Sequence, residues 1–103
     1  MNDIELIRLI EAEWEPARGF LGQLRGGRFN RDGYQRFLQV LQRLASEMKD
    51  APVINKRLVS LVWYIPIFMV WQRDRVKAPP AASDYERVTN EVQSLVQEIL
   101  GVP

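Results

Sequence analysis

The chain has 103 residues, of which 47% are hydrophobic and 26% charged, with a formal net charge of +1. This length and composition predict one domain, residues 1–103, with a single hydrophobic core, and exclude the low hydrophobicity and high charge of disordered proteins. The chain contains no cysteine and no histidine, which excludes disulfides, zinc–thiolate sites, thiol nucleophiles and the usual proton shuttle near neutral pH.

The charges are unevenly distributed along the sequence. Residues 1–17 carry a net charge of −4, residues 18–57 carry +6 and the remainder carries −1. Neighbouring helices either neutralise these blocks or leave a dipolar surface that affects partner choice. The first residues lack the basic region and cleavage site of a signal peptide, so we expect a cytoplasmic protein.

The first predicted helix begins at a capping box. Asn2 is a preferred N-cap residue and Glu5 occupies the N3 position. Pro16 lies inside the apolar pattern that follows, where a proline removes a backbone donor and clashes with the preceding turn. We therefore expect one bent helix, with a kink or short break near residues 13–15. Its apolar face comprises Ile7, Ile10, Trp14, Ala17, Leu21 and Leu24.

Four glycines mark the end of this first helix. Gly19 and Gly22 lie three residues apart, and their low helix propensity indicates a packing reason, such as the close approach of another backbone. Gly26 and Gly27 supply the signal that ends the helix.

The second predicted helix has the clearest signals. Asn30 is a good N-cap, and Phe29 before it can pack on Tyr34 as a hydrophobic staple. Polar residues occupy much of the opposite side, which is typical of a surface helix in a bundle. The helix should end near Lys49. Its apolar stripe comprises Tyr34, Phe37, Leu38, Leu41, Leu44, Ala45 and Met48.

The longest uncharged stretch, residues 58–71, predicts a buried helix that runs from about residue 53 to 77. The stretch has no polar stripe for water, and it is shorter than the ~20 residues that cross a bilayer. Because a continuous apolar run has no diagnostic period, strands over residues 61–65 and 67–71 are the alternative, although they would lack partner strands. Pro66 should kink or divide the helix.

The last predicted helix follows a stiff connector, residues 78–82. Ser83 and Glu86 form a capping box at its start, and Gly101 provides a Schellman-type stop that would make the domain complete at its C-terminus. Its apolar stripe comprises Tyr85, Val88, Val92, Leu95, Val96 and Ile99.

These segments predict an all-α, four-helix bundle-like domain with a Pro-kinked central apolar helix. That third helix is more apolar than a bundle requires, since a core-facing helix needs roughly three apolar positions per heptad. The surplus, with Trp63, Tyr64 and Trp71 as leading candidates, is covered either by the first helix or by a partner. We therefore treat these three residues as candidate partner contacts.

The sequence offers little for catalysis. It has five hydroxyl side chains of serine and threonine, and no histidine to activate them. Glu11 and Glu15, one helical turn apart, could serve as an acid–base pair or bind a cation, but no further carboxylates are placed to complete a site. A solvated acidic face is the alternative. We expect no enzyme activity, cofactor or metal.

The turn between the first two helices is rich in arginine and glycine. Arg25, Arg28 and Arg31 are candidate anion-binding residues, because flexible backbone amides and guanidinium groups both suit phosphate. The turn matches no P-loop or dinucleotide fingerprint, and solvated arginines in an interhelical turn are the alternative. With no aromatic stacking platform in this loop, we do not expect nucleic-acid binding.

Residues 21–30, followed by Tyr34 and the apolar stripe over residues 37–44, resemble small all-helical bacterial immunity proteins. The resemblance implies stoichiometric capture of a cognate toxin, without catalysis. Inhibitors of nucleases in that class are often strongly acidic. Here only the first helix is acidic, which makes Glu11 and Glu15 candidate partner contacts.

The sequence therefore predicts a non-enzymatic, cytoplasmic protein-interaction protein, with toxin immunity as its most concrete form. The competing hypothesis is a homo-oligomeric accessory or regulatory protein, a homodimer for example, with a basic surface that contacts nucleic acid.

Overall fold

Six α-helices and one 3-10 turn form the fold in the computed structural model, which describes residues 1–76 and 82–103. Neither described range contains a β-strand. The predicted all-α class is confirmed, and the strand alternative for the apolar run is wrong. The helices are α1 (Asp3–Trp14), α2 (Phe20–Arg25), α3 (Arg31–Met48), α4 (Lys56–Val62), α5 (Ile65–Gln72) and α6 (Ala82–Leu100), with the 3-10 turn at Arg73–Arg75 between α5 and α6.

The first predicted helix is two helices. The break expected near residues 13–15 is present, but the expectation of a single bent helix is wrong. The start is as predicted, since the Asn2 side chain accepts a hydrogen bond from the Glu5 backbone N–H at 2.9 Å. α1 then ends at Trp14, and Glu15 has extended backbone angles. Because Pro16 has no N–H to continue the helix, the chain leaves it there and starts α2 only at Phe20.

Gly19, which precedes α2, and Gly22 within it allow α2 to contact the end of α1. A Cβ on Gly19 would collide with the backbone carbonyl of Glu13, and one on Gly22 with that of Glu15. The predicted close backbone approach is therefore real, and the neighbour is the end of α1. At the end of α2, Gly27 has a φ of +89°. Its N–H and that of Arg28 close a Schellman motif onto the preceding turn.

The second predicted helix corresponds to α3. Asn30 caps it through a hydrogen bond from the Gly33 N–H, and the rings of Phe29 and Tyr34 lie 5.7 Å apart as the expected staple. The predicted stripe faces inward, with Tyr34, Phe37, Leu41 and Leu44 buried and Leu38, Ala45 and Met48 partly buried.

The apolar run forms α4 and α5, which are separated only by Trp63 and Tyr64. Both of these residues keep right-handed helical angles, and Pro66 lies in the first turn of α5. The division thus falls just before the proline. Pro66 should also bias Ile65, the residue before it, away from helical angles, yet α5 begins at Ile65. α4 starts at Lys56 instead of residue 53, because the Asn55 side chain caps it.

The last helix buries its predicted stripe, with only Leu95 partly exposed. It ends where expected: Gly101 has a φ of +85°, and its N–H donates to the carbonyl of Gln97. That single bond is an αL stop rather than a full Schellman motif. α6 begins at Ala82, before the predicted cap. The Ser83 side chain and residues 77–81, most of the connector, lie outside the described residues.

The core is one continuous cluster between these helices. α3 and α5 both pack on α6, while α1 packs on α4 and also contacts α2 and α3. Two buried tyrosines form hydrogen bonds that join α6 to α3 and to α5. The Tyr34 hydroxyl donates to Glu91, and the Tyr85 hydroxyl donates to the carbonyl of Met69, each at 2.6 Å.

Candidate functional site

One side of α4 and α5 leaves large apolar side chains in solvent. Trp63 is 51% exposed, Val70 54% and Trp71 66%, with Ile67 also exposed between them. Their sequence intervals of four, three and one place them on one side of a helix. Together with the half-buried Tyr64 they are called the aromatic face below.

The opposite side of the same helices is anchored in the core. Ile65, Phe68 and Met69 are buried there, and Phe68 packs edge-on against Trp14 of α1 with ring centroids 5.0 Å apart. The Trp14 indole N–H also donates to the carbonyl of Leu61 at 3.0 Å. α1 therefore packs behind the aromatic face without covering it. The apolar run thus has more large side chains than the core buries, as predicted. Of the three candidates named from the sequence, Trp63 and Trp71 are exposed.

The rings of the aromatic face are held in contact with one another. The Tyr64 ring lies 5.6 Å from that of Trp63 and 6.1 Å from that of Trp71, and it also contacts Phe68 at 6.3 Å. Offset and edge-on ring pairs at such distances are mutually stabilising. Tyr64 thus connects the exposed tryptophans to the core and limits their freedom before any partner binds.

The aromatic face is comparable in area to the largest apolar patch of a typical monomer. Since a tryptophan side chain contributes up to ~250 Å², the two exposed tryptophans leave roughly 300 Å² open, and the whole face about 500 Å². The largest apolar patch on a typical monomer measures about 300–600 Å² and often has a function. This face lies at the upper end of that range.

Ile67 and Val70 belong to this face but were not named from the sequence. Their helical spacing from Trp63 was visible in the sequence. In a segment that is apolar on all sides, however, spacing alone does not tell which side faces solvent.

The acidic residues proposed from sequence make contacts within the chain. Glu11 accepts from Arg57 of α4 at 2.9 Å, and Glu15 accepts from the backbone N–H of Arg18 at 2.6 Å. Glu11 and Glu15 therefore stabilise local structure at the surface instead of converging on a shared acid–base site.

Glu13, which the sequence reasoning missed, is the one buried carboxylate among the described residues, at 3% exposure. It accepts from the Phe20 backbone N–H and makes two hydrogen bonds with Arg36, all at 3.1 Å. The hydrogen bonds that Arg36 donates to Glu13 raise the pKa of the Arg36 guanidinium. Glu13 and Glu11 thus neutralise Arg36 and Arg57, two of the cations in the basic residues 18–57. The signal for Glu13 was its position three residues after Ile10 on the buried face of α1.

The three arginines proposed as an anion site do not converge. The Arg25 guanidinium lies over the rings of Trp14 and Phe68, 5.4 and 5.2 Å from their centroids. Arg25 and Arg28 line one surface groove, whereas Arg31 lines another that also contains Arg87 and Glu91. Arg31 therefore does not share the groove of Arg25 and Arg28, as one phosphate held by all three would require. The two cation–π contacts of Arg25, with Trp14 and Phe68, give this arginine a structural role.

Within residues 1–76 and 82–103, no group of three or more acidic side chains is placed to hold a metal ion. Nor does any helix in these ranges combine the length and apolar character needed to cross a membrane. Comparisons of the chain with protein-family models, with curated proteins and with solved structures gave no match.

Proposed function

We propose that this chain is a non-catalytic protein-binding domain and that the aromatic face is its binding surface. The observation that carries the proposal is the pair of tryptophans, Trp63 and Trp71, each more than half exposed beside an ordered tyrosine. Tryptophan and tyrosine are the residues most enriched at the energetic centres of interfaces, because they bury large area with few rotatable bonds.

Binding is favoured over catalysis by the chemistry of the chain. Without histidine or cysteine, its hydroxyl groups have no customary base, and Glu13 is engaged by Arg36. The basic accessory role is also less favoured, since Arg25 is stacked on two rings and Arg36 is paired. Toxin immunity remains the more specific form of the proposal and rests on the sequence resemblance.

The test compares one substitution at two exposed valines. Val70 lies in the aromatic face, and Val53, which is 81% exposed, lies in the loop before α4. A carboxylate at Val70 would be desolvated on binding, so Val70→Glu should weaken association about thirtyfold, whereas Val53→Glu should leave it unchanged. Association is measured by sedimentation of the purified chain and by recovery of partners on the immobilised chain from its own cells.

Both variants should stay folded, with free energies of unfolding within about 0.5 kcal/mol of wild type, because both sites are exposed. The proposal fails if Val70→Glu retains wild-type association, or if Val53→Glu loses as much. It also fails if the wild-type chain associates with no protein at all.

A further inference from the structure

We infer that the aromatic face binds a second copy of the chain, with α4 and α5 of the two copies packed antiparallel about a two-fold axis near Ile65. This inference rests on the proposed function and adds the identity of the partner. It follows from the order of the side chains on the face and at its two ends.

The exposed stripe is symmetric about Ile65 in its spacing. Because Trp63 and Tyr64 keep helical angles, the stripe continues across the division between α4 and α5. From Lys56 to Val70 it covers ~21 Å at the ideal helical rise, and Asp74 follows in the 3-10 turn after α5. The exposed members of the stripe, four and three residues apart in alternation, are Lys56, Ser60, Trp63, Ile67, Val70 and Asp74.

An isologous pair places each residue opposite the one equally far beyond the centre in the other copy. Trp63 then meets Ile67 of the second copy, and the small Ser60 meets Val70. Trp71 lies to one side of this line and Val59 to the other, so Trp71 comes beside Ser60 of the second copy. Trp63 is thus set against an aliphatic side chain, and no two tryptophans oppose each other at the centre.

The two ends of the stripe are complementary in charge. Lys56 and Asp74 are both exposed, and Asp74 is 92% exposed. The antiparallel arrangement brings Lys56 of each copy to Asp74 of the other, which gives two ion pairs at the rim. Arg57 and Arg73 lie on opposite sides of the stripe. Arg57 has Glu11 at 2.9 Å within its own chain, and Asp74, 3.7 Å from its own Arg73, is shared between Arg73 and Lys56 of the other copy.

The area sets the expected affinity. About 500 Å² of apolar surface per copy, with polar ends added, falls somewhat below the roughly 800 Å² per partner of a standard stable interface. We therefore expect a reversible dimer with a dissociation constant on the order of 10 µM.

Charge reversal at the two ends tests the partner and the orientation together. Lys56→Asp places like charges at both ends of the dimer, as does Asp74→Lys, so each variant alone should dimerise at least tenfold more weakly. An equimolar mixture of the two restores opposite charges at both ends and should form a heterodimer of wild-type affinity. Sedimentation equilibrium from 1 to about 300 µM measures all three samples.

The substitutions are chosen to leave the fold intact. Lys56 is the first residue of α4, where an aspartate favours the helix dipole, and Asp74 is almost fully exposed. Lys49→Asp makes the same charge change at the end of α3, away from the stripe, and should dimerise as wild type does. Far-ultraviolet circular dichroism checks that every variant is helical.

A wild-type chain that stays monomeric at about 300 µM overturns the inference. The inference is also overturned if the equimolar mixture of Lys56→Asp and Asp74→Lys dimerises as weakly as each variant alone, because the antiparallel arrangement requires the mixture to recover wild-type affinity. If the chain is monomeric and Val70→Glu still abolishes recovery of a different protein, the proposed function stands and only the second copy is wrong. If Val70→Glu changes nothing, the proposed function fails as well.

Discussion

At the scale of single residues, Glu13 shows how one buried charge can fix the relation of three helices. Its carboxylate, at the end of α1, accepts from the first N–H of α2 and from Arg36 of α3. The Arg36 guanidinium also donates to the carbonyl of Arg18 at 3.0 Å, in the turn between α1 and α2. Removing the carboxylate leaves the buried Phe20 N–H without an acceptor and removes both hydrogen bonds from Arg36.

We therefore expect Glu13→Ala to lower the free energy of unfolding by about 2 to 3 kcal/mol. The cost stays below that of a fully buried pair because the Arg36 side chain is half-exposed and can be solvated. Glu11→Ala is the control, since Glu11 is also in α1 and paired with an arginine but is exposed, and it should cost about 0.5 kcal/mol. Urea denaturation at pH 7 measures both, and equal costs would contradict the role assigned to Glu13.

At the scale of elements, the close packing of α2 against the end of α1 depends on the absence of a side chain at Gly22. A Cβ there would meet the backbone of Glu15 and Pro16, which cannot move aside as a flexible side chain can. Gly26, one turn later, has a negative φ, and a Cβ on it would come no nearer than 3.3 Å to the Gln23 carbonyl oxygen.

Gly22→Ala should consequently destabilise the protein by about 2 to 3 kcal/mol, in spite of the better helix propensity of alanine. Gly26→Ala should change stability by less than about 1 kcal/mol. Thermal unfolding followed by circular dichroism compares the two variants. A stable Gly22→Ala protein would mean that α2 can shift away from α1 without loss.

The elements that the sequence predicted well are those whose ends and faces depend on local chemistry. α3 and α6 each carry a regular stripe, and Asn30 and Gly101 set an end of each through their own side chain or backbone. A break near residues 13–15 was predicted from Pro16, but the separate start of α2 at Phe20 was not, because it depends on distant contacts. The start of α2 needs the Glu13 carboxylate, which in turn is held by Arg36, 23 residues away.

The candidate site was predictable only in part for a similar reason. Counting the apolar residues in the run 58–71 was enough to expect more large side chains than the core can bury, and to name Trp63 and Trp71 among them. Which side of the run would face solvent is decided by how α1 and α6 pack on α4 and α5, which the local sequence does not encode. Ile67 and Val70 therefore emerged only from the fold.

At the scale of the whole molecule, α6 is held to the other helices by two buried phenol hydroxyls. Tyr34 of α3 donates to Glu91 of α6, while Tyr85 of α6 donates to the Met69 carbonyl in α5. Burial raises the pKa of Tyr85 to about 12, although the charge of Arg73 opposes the shift. Burial, together with the hydrogen bond to Glu91 and its charge, raises the pKa of Tyr34 as well.

Both shifts make the fold sensitive to alkali. A tyrosine in the unfolded chain titrates near pH 10, so the stabilisation from a raised folded pKa is complete below about pH 10 and is lost as the pH rises. For Tyr85 the loss extends from about pH 10 to about pH 12. We expect the free energy of unfolding to fall across that range, because deprotonation removes each phenol's only donor hydrogen.

Tyr85→Phe should lose about 1 kcal/mol at neutral pH, where it lacks the bond to Met69, and should then lose less stability than wild type above pH 10. Because the wild-type loss from a pKa shift of this size exceeds that starting difference, the two stability curves should approach each other above about pH 10 and cross before pH 12. Urea denaturation at ~1 µM chain, below the expected dimer dissociation constant, keeps self-association out of the comparison. If the difference between the two proteins stays constant from pH 8 to about pH 12, Tyr85 does not couple the docking of α6 to pH, and the alkaline loss belongs to other groups.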